Sequence, residues 1–313
     1  MLQIDFSKWA STIPINVRKR FVKDNNLPIP VLDDPYFEYF INLYQKDFNT
    51  VNLILNLNDC AANTNSWENF FQESKTIMDS VIDAVSSTEA YGEFLSMDMD
   101  AYKPIQQINH SKLYKQTNAN KQFVSIDLKK ANFQALKYYD SELVFNCDFY
   151  EELLEIVSDD VHDYYMKSKQ IRQVIFGNLN PKRQQTIQKY MISLILNVLY
   201  ENGFSEEQIF SSSPDEIIVE SNDVDGISNI IEQSNDCNNM HLHIDSFVLK
   251  QIHENYSYFV KEYENGSVEF KGVPQNNMAE FYKYYYGMDI NNYYDLVFVL
   301  DGRIAHFDKP LIT

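Results

Sequence analysis

The chain has 313 residues, and its 26 Lys and Arg against 45 Asp and Glu give a net charge of −19. Hydrophobic residues make up 44% of the sequence, which excludes a disordered chain and suits one large or two ordinary domains. A protein this acidic repels a DNA duplex unless its basic residues are concentrated in one groove, so extended binding to double-stranded DNA is disfavoured.

Residues 1–110 are predicted to be mainly helical. Aromatic residues at helical spacing indicate a helix that starts at Pro35, and a second helix is predicted over Trp67–Val85. Asn52–Leu57 is a short apolar run that fits a helix or a strand. The basic triplet within Val17–Val22 indicates an exposed helix face, with phosphate contact as the alternative.

The middle of the chain begins with a strand. Gln122–Ile126 is an apolar run that predicts this strand, and a helix is expected over Lys129–Tyr139. Glu151–Ile156 and Val161–Phe176 are also predicted to be helical. Pro181 fits a helix start, and the helix to about Tyr200 carries a continuous apolar stripe. That stripe needs a sheet face to cover it.

Three β-hairpins are predicted in the last third of the chain. The first has β-rich runs on either side of a turn at Ser213–Glu216. The other two turn at the dipeptides Asn265-Gly266 and Asp301-Gly302, which are strong hairpin signals.

Met240–Ile244 alternates apolar residues with His241 and His243, the period of a half-buried strand. Two histidines at this spacing suggest a metal site. The alternation explains them as a solvent-facing side of the strand, and no third ligand accompanies them.

Two carboxylates close predicted strands. Asp127 ends the run Gln122–Asp127, and Asp215 lies in the turn of the first hairpin. If these strands are neighbours, both side chains converge on one point, which is what a divalent metal site for phosphoryl transfer requires. The alternative is two unrelated aspartates on a solvated rim, because strand ends are commonly polar.

Four stretches, in order, resemble the palm of family B DNA polymerases. S-I-D-L-K-K-A-N-F-Q-A-L resembles that family's motif A, and K-Q-I-R-Q-V-I-F-G at Lys169–Gly177 is similar to its motif B. In the first hairpin S-P-D-E stands where the family writes D-T-D-S, so Asp215 matches the second aspartate and Ser213 replaces the first. Met240–Asp245 and Tyr256–Val273 resemble the strand and the hairpin that follow motif C. The resemblance covers roughly residues 110 to 285.

The resemblance implies roles for particular residues. It implies that Asp127 and Asp215 are catalytic metal ligands if the protein is active, with Mg²⁺ as the cofactor. It implies that Lys169 contacts a triphosphate, and it places Asn132 where the family holds an aromatic sugar gate. We add three cations as candidate phosphate contacts on neighbouring predicted helices, Arg172, Lys182 and Arg183.

The chain departs from the family in ways that weaken an enzymatic interpretation. His253, Glu254, Asn255 and Tyr256 stand where the family's basic K-K-x-Y segment grips the primer. No stretch resembles the exonuclease domain, and the interval for the fingers is short. The sequence therefore predicts an α+β fold, with a mainly helical region at 1–110 and, at 111–313, a palm-like antiparallel sheet backed by helices, with reduced fingers and C-terminal hairpins.

Three scattered cysteines, Cys60, Cys147 and Cys237, indicate reduced thiols in a cytosolic or nuclear setting. The first residues lack a signal-peptide pattern, and no apolar run has the length of a membrane span. We therefore expect a cytoplasmic protein that is neither secreted nor bound to a membrane. Its abundance of Asn, Lys, Ile and Tyr suits an AT-rich genome such as that of a large DNA virus, in which case the location is the host cytoplasm.

Three functions remain open. The preferred one is a pseudo-polymerase, a binding protein that engages a nucleotide, an RNA end or cap, or a protein partner. The second is a small Mg²⁺-dependent nucleotidyltransferase or DNA polymerase that uses Asp127 and Asp215. The third is a structural subunit of a viral complex, in which the acidic surface docks a protein.

Overall fold

The structure is a computed structural model that describes residues 13–108, 110–158 and 160–312. Within these ranges the helices are α1 (Ile15–Asp24), α2 (Tyr36–Leu43), α3 (Gln45–Phe48), α4 (Thr50–Thr64), α5 (Trp67–Ser86), α6 (Glu89–Ser96), α7 (Ala131–Tyr139), α8 (Tyr150–Val157), α9 (Asp163–Lys167), α10 (Lys169–Asn178), α11 (Pro181–Glu201), α12 (Val224–Glu232) and α13 (Met278–Tyr285). The strands are β1 (His110–Ser111), β2 (Gln122–Leu128), β3 (Ile209–Ser212), β4 (Glu216–Val219), β5 (Leu242–Gln251), β6 (Phe259–Tyr263), β7 (Val268–Lys271), β8 (Val297–Leu300) and β9 (Arg303–His306).

One antiparallel sheet has the strand order β1-β3-β4-β2-β5-β6-β7, and β8 and β9 form a separate hairpin. The predicted α+β class is confirmed, and so are the turns at Asn265-Gly266 and Asp301-Gly302. Residues 13–108 form helices and no strand, which confirms the helical N-terminal region.

Alternation along β2 separates the two faces of the sheet. Val124 and Ile126 are buried on one face, whereas Phe123, Ser125 and Asp127 point to the other. The second face holds an apolar cluster at one end, which comprises Leu113, Phe123, Phe210, Ile218, Phe247, Leu249 and Phe259. The other end of this face is polar. We call the face that carries Asp127 the carboxylate face.

Helix α11 packs against α7, α12 and strand β4, and α12 also contacts β5. Pro181 is the first residue of α11, and the Asn180 side chain accepts a hydrogen bond from the Arg183 N–H at 3.3 Å. The apolar stripe predicted over 181–200 is buried, with Ile187, Met191 and Ile195 fully inaccessible. The expectation of a helix that backs the sheet is therefore confirmed.

The basic triplet of α1, expected to be an exposed helix face, is only partly exposed, because Lys19 faces solvent whereas Arg18 is buried and Arg20 is half-buried. Arg18 is buried and donates two hydrogen bonds to the Asp34 carboxylate, at 3.0 and 2.9 Å. Arg20 forms an ion pair with buried Asp24 at 2.8 Å. Acidic partners close in space, one of them 16 positions away along the chain, hold these guanidinium groups inside the fold. A helix-face argument can foresee Asp24, four positions after Arg20 on the same helix, but not Asp34.

The single helix predicted over Val161–Phe176 is wrong, because α9 and α10 are separated at Ser168. The backbone of Ser168 is extended (ψ 115°), and its hydroxyl accepts a hydrogen bond from the Ile171 N–H at 3.0 Å. Serine favours such capping positions, since its side chain replaces a missing backbone acceptor. The hydroxyl also donates to Asp24 at 2.5 Å.

Contacts divide the chain into two compact units. Unit 1 draws on the described parts of residues 1–75, 162–172 and 270–313, and unit 2 on residues 76–161 and 173–269. The predicted division at residue 110 stays a prediction. Over the residues described, no helix combines the length and the apolar character that crossing a membrane requires.

Candidate functional site

Ser213 holds the turn between β3 and β4. Its hydroxyl accepts hydrogen bonds from the N–H groups of Asp215 (3.3 Å) and Glu216 (2.9 Å) and donates one to the Asp215 carboxylate (2.7 Å). The Leu128 N–H donates to the Asp215 carbonyl oxygen at 2.8 Å, which ties the turn to the end of β2. The predicted hairpin is confirmed, and Asp127 and Asp215 lie at the same end of β2.

The register of the sheet places Glu216, not Asp215, directly opposite Asp127. On the other side of β2, Asp127 is opposite His243. Asp215 is exposed in the turn, whereas Asp127 and Glu216 are half-buried. At this end of β2, Asp127, Asp215 and Glu216 therefore lie together, whereas the sequence pattern indicated only the two aspartates.

Lys261 is the central cation of the carboxylate face. Its side chain is fully buried on β6, and its Nζ donates to Glu216 Oε1 at 2.6 Å. The Ser125 hydroxyl donates to the same oxygen at 2.6 Å. Glu269 Oε2 lies 3.9 Å from the Lys261 Nζ. An ammonium group thus compensates part of the negative charge of this face from within.

The surroundings of the Lys261 side chain are apolar and aromatic. Its ammonium group lies 4.8 Å from the ring centroid of Phe247, within the range of a cation–π contact. The Tyr263 hydroxyl donates to Glu269 at 3.3 Å. Burial, followed by the charges of Glu216 and Glu269, raises the pKa of Tyr114 above its usual range. The buried Lys261 ammonium group is therefore shielded from water on the side of the Phe247 ring.

Asp127 is an acid with an unusual proton affinity. Burial, followed by the negative charges of Glu216, Asp215 and Glu269, raises its pKa from 3.8 to about 7, and Lys261 opposes this shift. Its carboxyl group accepts no hydrogen bond from the residues that the structure describes. At neutral pH such a group can accept a proton, give one up, or receive a hydrogen bond from a ligand.

The oxygen atoms on the carboxylate face are of the kind that Mg²⁺ prefers, yet their arrangement fits the ion poorly. Lys261 and Ser125 already occupy Glu216 Oε1. Among the described residues, no group of three or more Asp, Glu, His or Cys side chains is arranged to hold a metal ion. The assignment of Asp127 and Asp215 as metal ligands stays a prediction.

The candidate nucleotide-binding residues are divided between the two units. Asn132 accepts a hydrogen bond from Gln188 at 2.6 Å, and Arg183 donates to the Met97 carbonyl oxygen at 2.8 Å. Lys182 is exposed on the first turn of α11. These residues belong to unit 2, as do Asp127 and Asp215, whereas Lys169 and Arg172 belong to unit 1. Their roles stay predictions.

Sequence reasoning missed Glu216, Lys261 and Glu269. A signal for Glu216 existed, because it is the residue that begins the apolar run of β4, and alternation puts it on the face of Ile218. Lys261 gave no such signal, since a lysine in an alternating strand normally points to solvent. Its position follows from the pairing of β6 with β5, which only the sheet reveals.

We expect Asp127→Asn to stabilise the protein more at about pH 8 than at about pH 5, because the folded-state pKa is raised. The folded chain binds more protons than the unfolded chain between the two pKa values, so stability falls as the pH rises toward and through 7. Asparagine keeps the shape and cannot ionise. After allowance for solvent screening, the free energy of unfolding of Asp127→Asn at the higher pH should exceed that of the wild type by on the order of 1–3 kcal/mol.

Thermal unfolding of both proteins at the two pH values measures this difference. Glu142→Gln is the matched control, since Glu142 is an exposed acid of the same unit, and it should change little at either pH. An equal gain for Asp127→Asn at both pH values would show that ionisation of Asp127 is not the cause.

The chain matches no protein-family model, and comparisons with curated proteins and with solved structures find no significant match. The likeness to a polymerase palm therefore stays a prediction that rests on the quoted motifs and their order.

Proposed function

We propose that this chain is a binding protein on a polymerase-like palm, and that its carboxylate face holds a nucleotide or an RNA end without catalysing nucleotidyl transfer. The observation that carries the proposal is the ion pair between Lys261 and Glu216, buried beside Asp127. This ion pair disfavours metal-dependent catalysis, and the negative charge that remains around it limits which ligands the face can bind.

Nucleotidyl transfer with two metal ions requires carboxylates that are free to coordinate divalent cations. On the carboxylate face the positive charge comes from Lys261, which bonds Glu216 and approaches Glu269. A divalent ion would have to displace the buried Lys261 ammonium group, which already lies at hydrogen-bond distance from Glu216. Asp127, with a pKa of about 7, is partly protonated at neutral pH. Both features favour binding over metal-dependent catalysis.

The charge of this face also limits which part of a nucleotide it can contact. The carboxyl groups of this face outnumber its one buried ammonium group, so the face stays negative and repels phosphates. Amino groups of a base, or a cationic base such as that of a methylated mRNA cap, suit carboxylates and neighbouring tyrosine rings. The phosphates would extend toward cations of the same unit, for which Lys182 and Arg183 are the candidates, and Asn132 is the candidate contact for the sugar.

The test is a titration of the purified protein with nucleotides and with a cap analogue, in the presence of EDTA. We expect binding without a divalent ion, a loss of about tenfold on Asp127→Asn, and little change on the control Glu142→Gln. Because the basic contacts are few, the salt slope with a short RNA should be at most about two or three units. Binding that requires Mg²⁺, or that Asp127→Asn leaves intact, would contradict the proposal.

One observation favours the alternative of an active nucleotidyltransferase: the Asp127 carboxyl group accepts no hydrogen bond from the described residues and lies beside the Asp215 turn. Extension of a primed template with Mg²⁺ or Mn²⁺ tests it, and Asp127→Ala should then abolish incorporation. We expect no extension by the wild type. If neither extension nor nucleotide binding is detected, the structural-subunit function is the one left, with the acidic surface as a docking face for a protein.

A further inference from the structure

We infer that unit 2 has a second ligand site, a cavity that takes a small planar ring with an amino group and a single anionic group, the chemistry of a nucleoside monophosphate. The cavity has a volume of about 610 Å³ and lies between α12, the start of β5 and Phe149. This volume is in the range of small-molecule sites. Asp127, Asp215, Glu216 and Glu269 do not line it, so it stands independently of the function proposed above.

The wall formed by His241 is held in place before any ligand binds. The buried Gln134 side chain accepts a hydrogen bond from the His241 N–H at 2.7 Å and donates to the His241 carbonyl oxygen at 2.5 Å. That carbonyl oxygen also accepts from the Lys129 N–H at 3.0 Å. A wall that is already ordered spares a ligand the entropic cost of ordering it.

The rings of Phe149 and His241 line the cavity and lie 5.1 Å apart. Phe149 is 54% exposed, so one face of its ring is open to a ligand in the cavity. A planar ring that stacked on Phe149 would remove this apolar surface from water, and the buried side chains of Ile231 and Met240 complete the apolar lining. These features select an aromatic ligand.

Two opposite charges line the same cavity without neutralising each other. Lys129 and Glu232 are both exposed, and no ion pair joins either of them to another described residue. Lys129 suits an anionic group, and Glu232 suits an amino group on a ring. The hydroxyl of Ser228 and the amide of Asn238 add neutral hydrogen-bonding groups between them. A nucleoside monophosphate with an amino-bearing base presents all three features.

The probe is AMP, titrated into protein that carries ¹³C-labelled methionine methyl groups, with Met240 as the reporter inside the cavity. We expect a saturable shift of the Met240 signal with a Kd below about 1 mM. Adenosine lacks the anionic group and ribose 5-phosphate lacks the ring, so each should bind at least about tenfold more weakly. Equal binding of AMP and ribose 5-phosphate would overturn the inference, because phosphate alone would then be the ligand.

Two variants locate the site. Ser228→Trp fills the cavity and should remove the Met240 shift. Lys129→Glu changes an exposed side chain, so the fold should persist, and it should weaken AMP by about tenfold or more. Lys115→Glu, an equivalent charge reversal at an exposed lysine, should leave AMP binding unchanged. The inference is overturned if Met240 does not respond to AMP, or if Lys129→Glu binds AMP as the wild type does. Nucleotide titrations of the carboxylate face are made in the Ser228→Trp protein, in which the second site is filled, so that the Asp127 variants report separately on that face.

Discussion

Replacing Lys261 with methionine is expected to lower the free energy of unfolding by about 3–5 kcal/mol, the usual cost of removing one partner from a buried ion pair. The side chain is fully buried and its ammonium group bonds Glu216 at 2.6 Å. Methionine fills a similar volume but leaves Glu216 and Glu269 without their shared cation. The acids of the carboxylate face would then repel one another more strongly, and the pKa of Asp127 would rise further.

Denaturant unfolding of the single and double variants tests this expectation. Glu216→Gln alone leaves the Lys261 charge buried, so it should also destabilise. The double variant should cost less than the two single changes added together, because the pair is lost as a unit. Lys115→Met, at an exposed site, is the matched control. A cost below about 1 kcal/mol for Lys261→Met would mean that the ion pair contributes as little as a surface pair.

The same variant tests the link between Lys261 and metal chemistry. If the ammonium group takes the place of a divalent cation, its removal should create a demand for one. Mg²⁺ should then raise the melting temperature of Lys261→Met and leave that of the wild type unchanged. If Mg²⁺ raised the melting temperature of both proteins equally, the ammonium group would not occupy the place of a metal ion.

Asp24→Ala is expected to be equally costly, at about 3–5 kcal/mol, because it removes the acceptor of a buried network. The Asp24 carboxylate accepts hydrogen bonds from Arg20 (2.8 Å), the Tyr164 hydroxyl (2.8 Å) and the Ser168 hydroxyl (2.5 Å). Alanine would leave the buried hydroxyls of Tyr164 and Ser168 without this acceptor, whereas Arg20 would keep its hydrogen bond to the Ser74 hydroxyl. The effect lies in unit 1, where the network joins α1 to α9 and to the turn before α10.

Asp24→Asn retains one oxygen acceptor and should cost less than Asp24→Ala. The difference between the two variants measures how much of the stabilisation comes from the hydrogen bonds rather than from the charge. Glu68→Gln alters an exposed acid of the same unit and should stay within about 0.5 kcal/mol of the wild type. Chemical denaturation followed by tyrosine fluorescence measures all three. If Asp24→Ala were no worse than Glu68→Gln, the network would not be a source of stability.

Local patterns predicted the elements well, because their causes are local. Pro181 starts α11 since its missing N–H has no partner to lose there, and Asn265-Gly266 forms a tight turn because glycine tolerates the positive φ that Gly266 adopts, 82°. The position of Asp127 at the end of β2 followed from the apolar run before it. Each inference needed only a few neighbouring residues.

The site depended on relations that no local pattern contains. Glu216 lies opposite Asp127 because of the register between β2 and β4, and a slip of one residue would have put it on the other face. Lys261 comes from a strand that follows Asp127 by more than a hundred residues, and it becomes buried only when the sheet assembles. Arg18 looked solvated because its partner Asp34 lies beyond the helix on which the triplet was judged.

Unit 1 is built from segments that the ribosome makes far apart in time. Tyr36 of α2 stacks on Tyr293 with ring centroids 5.5 Å apart, and the Tyr39 hydroxyl donates to Asp295, 256 positions later. Until residues 293–295 are synthesised, Tyr36 and Tyr39 lack these partners, although α2 can already pack against α4. Closing so long a loop is slow, so α2 acquires its full set of contacts late in folding. We expect a nascent chain that stops before residue 290 to need chaperone protection of α2, even though the sheet of unit 2 is already complete.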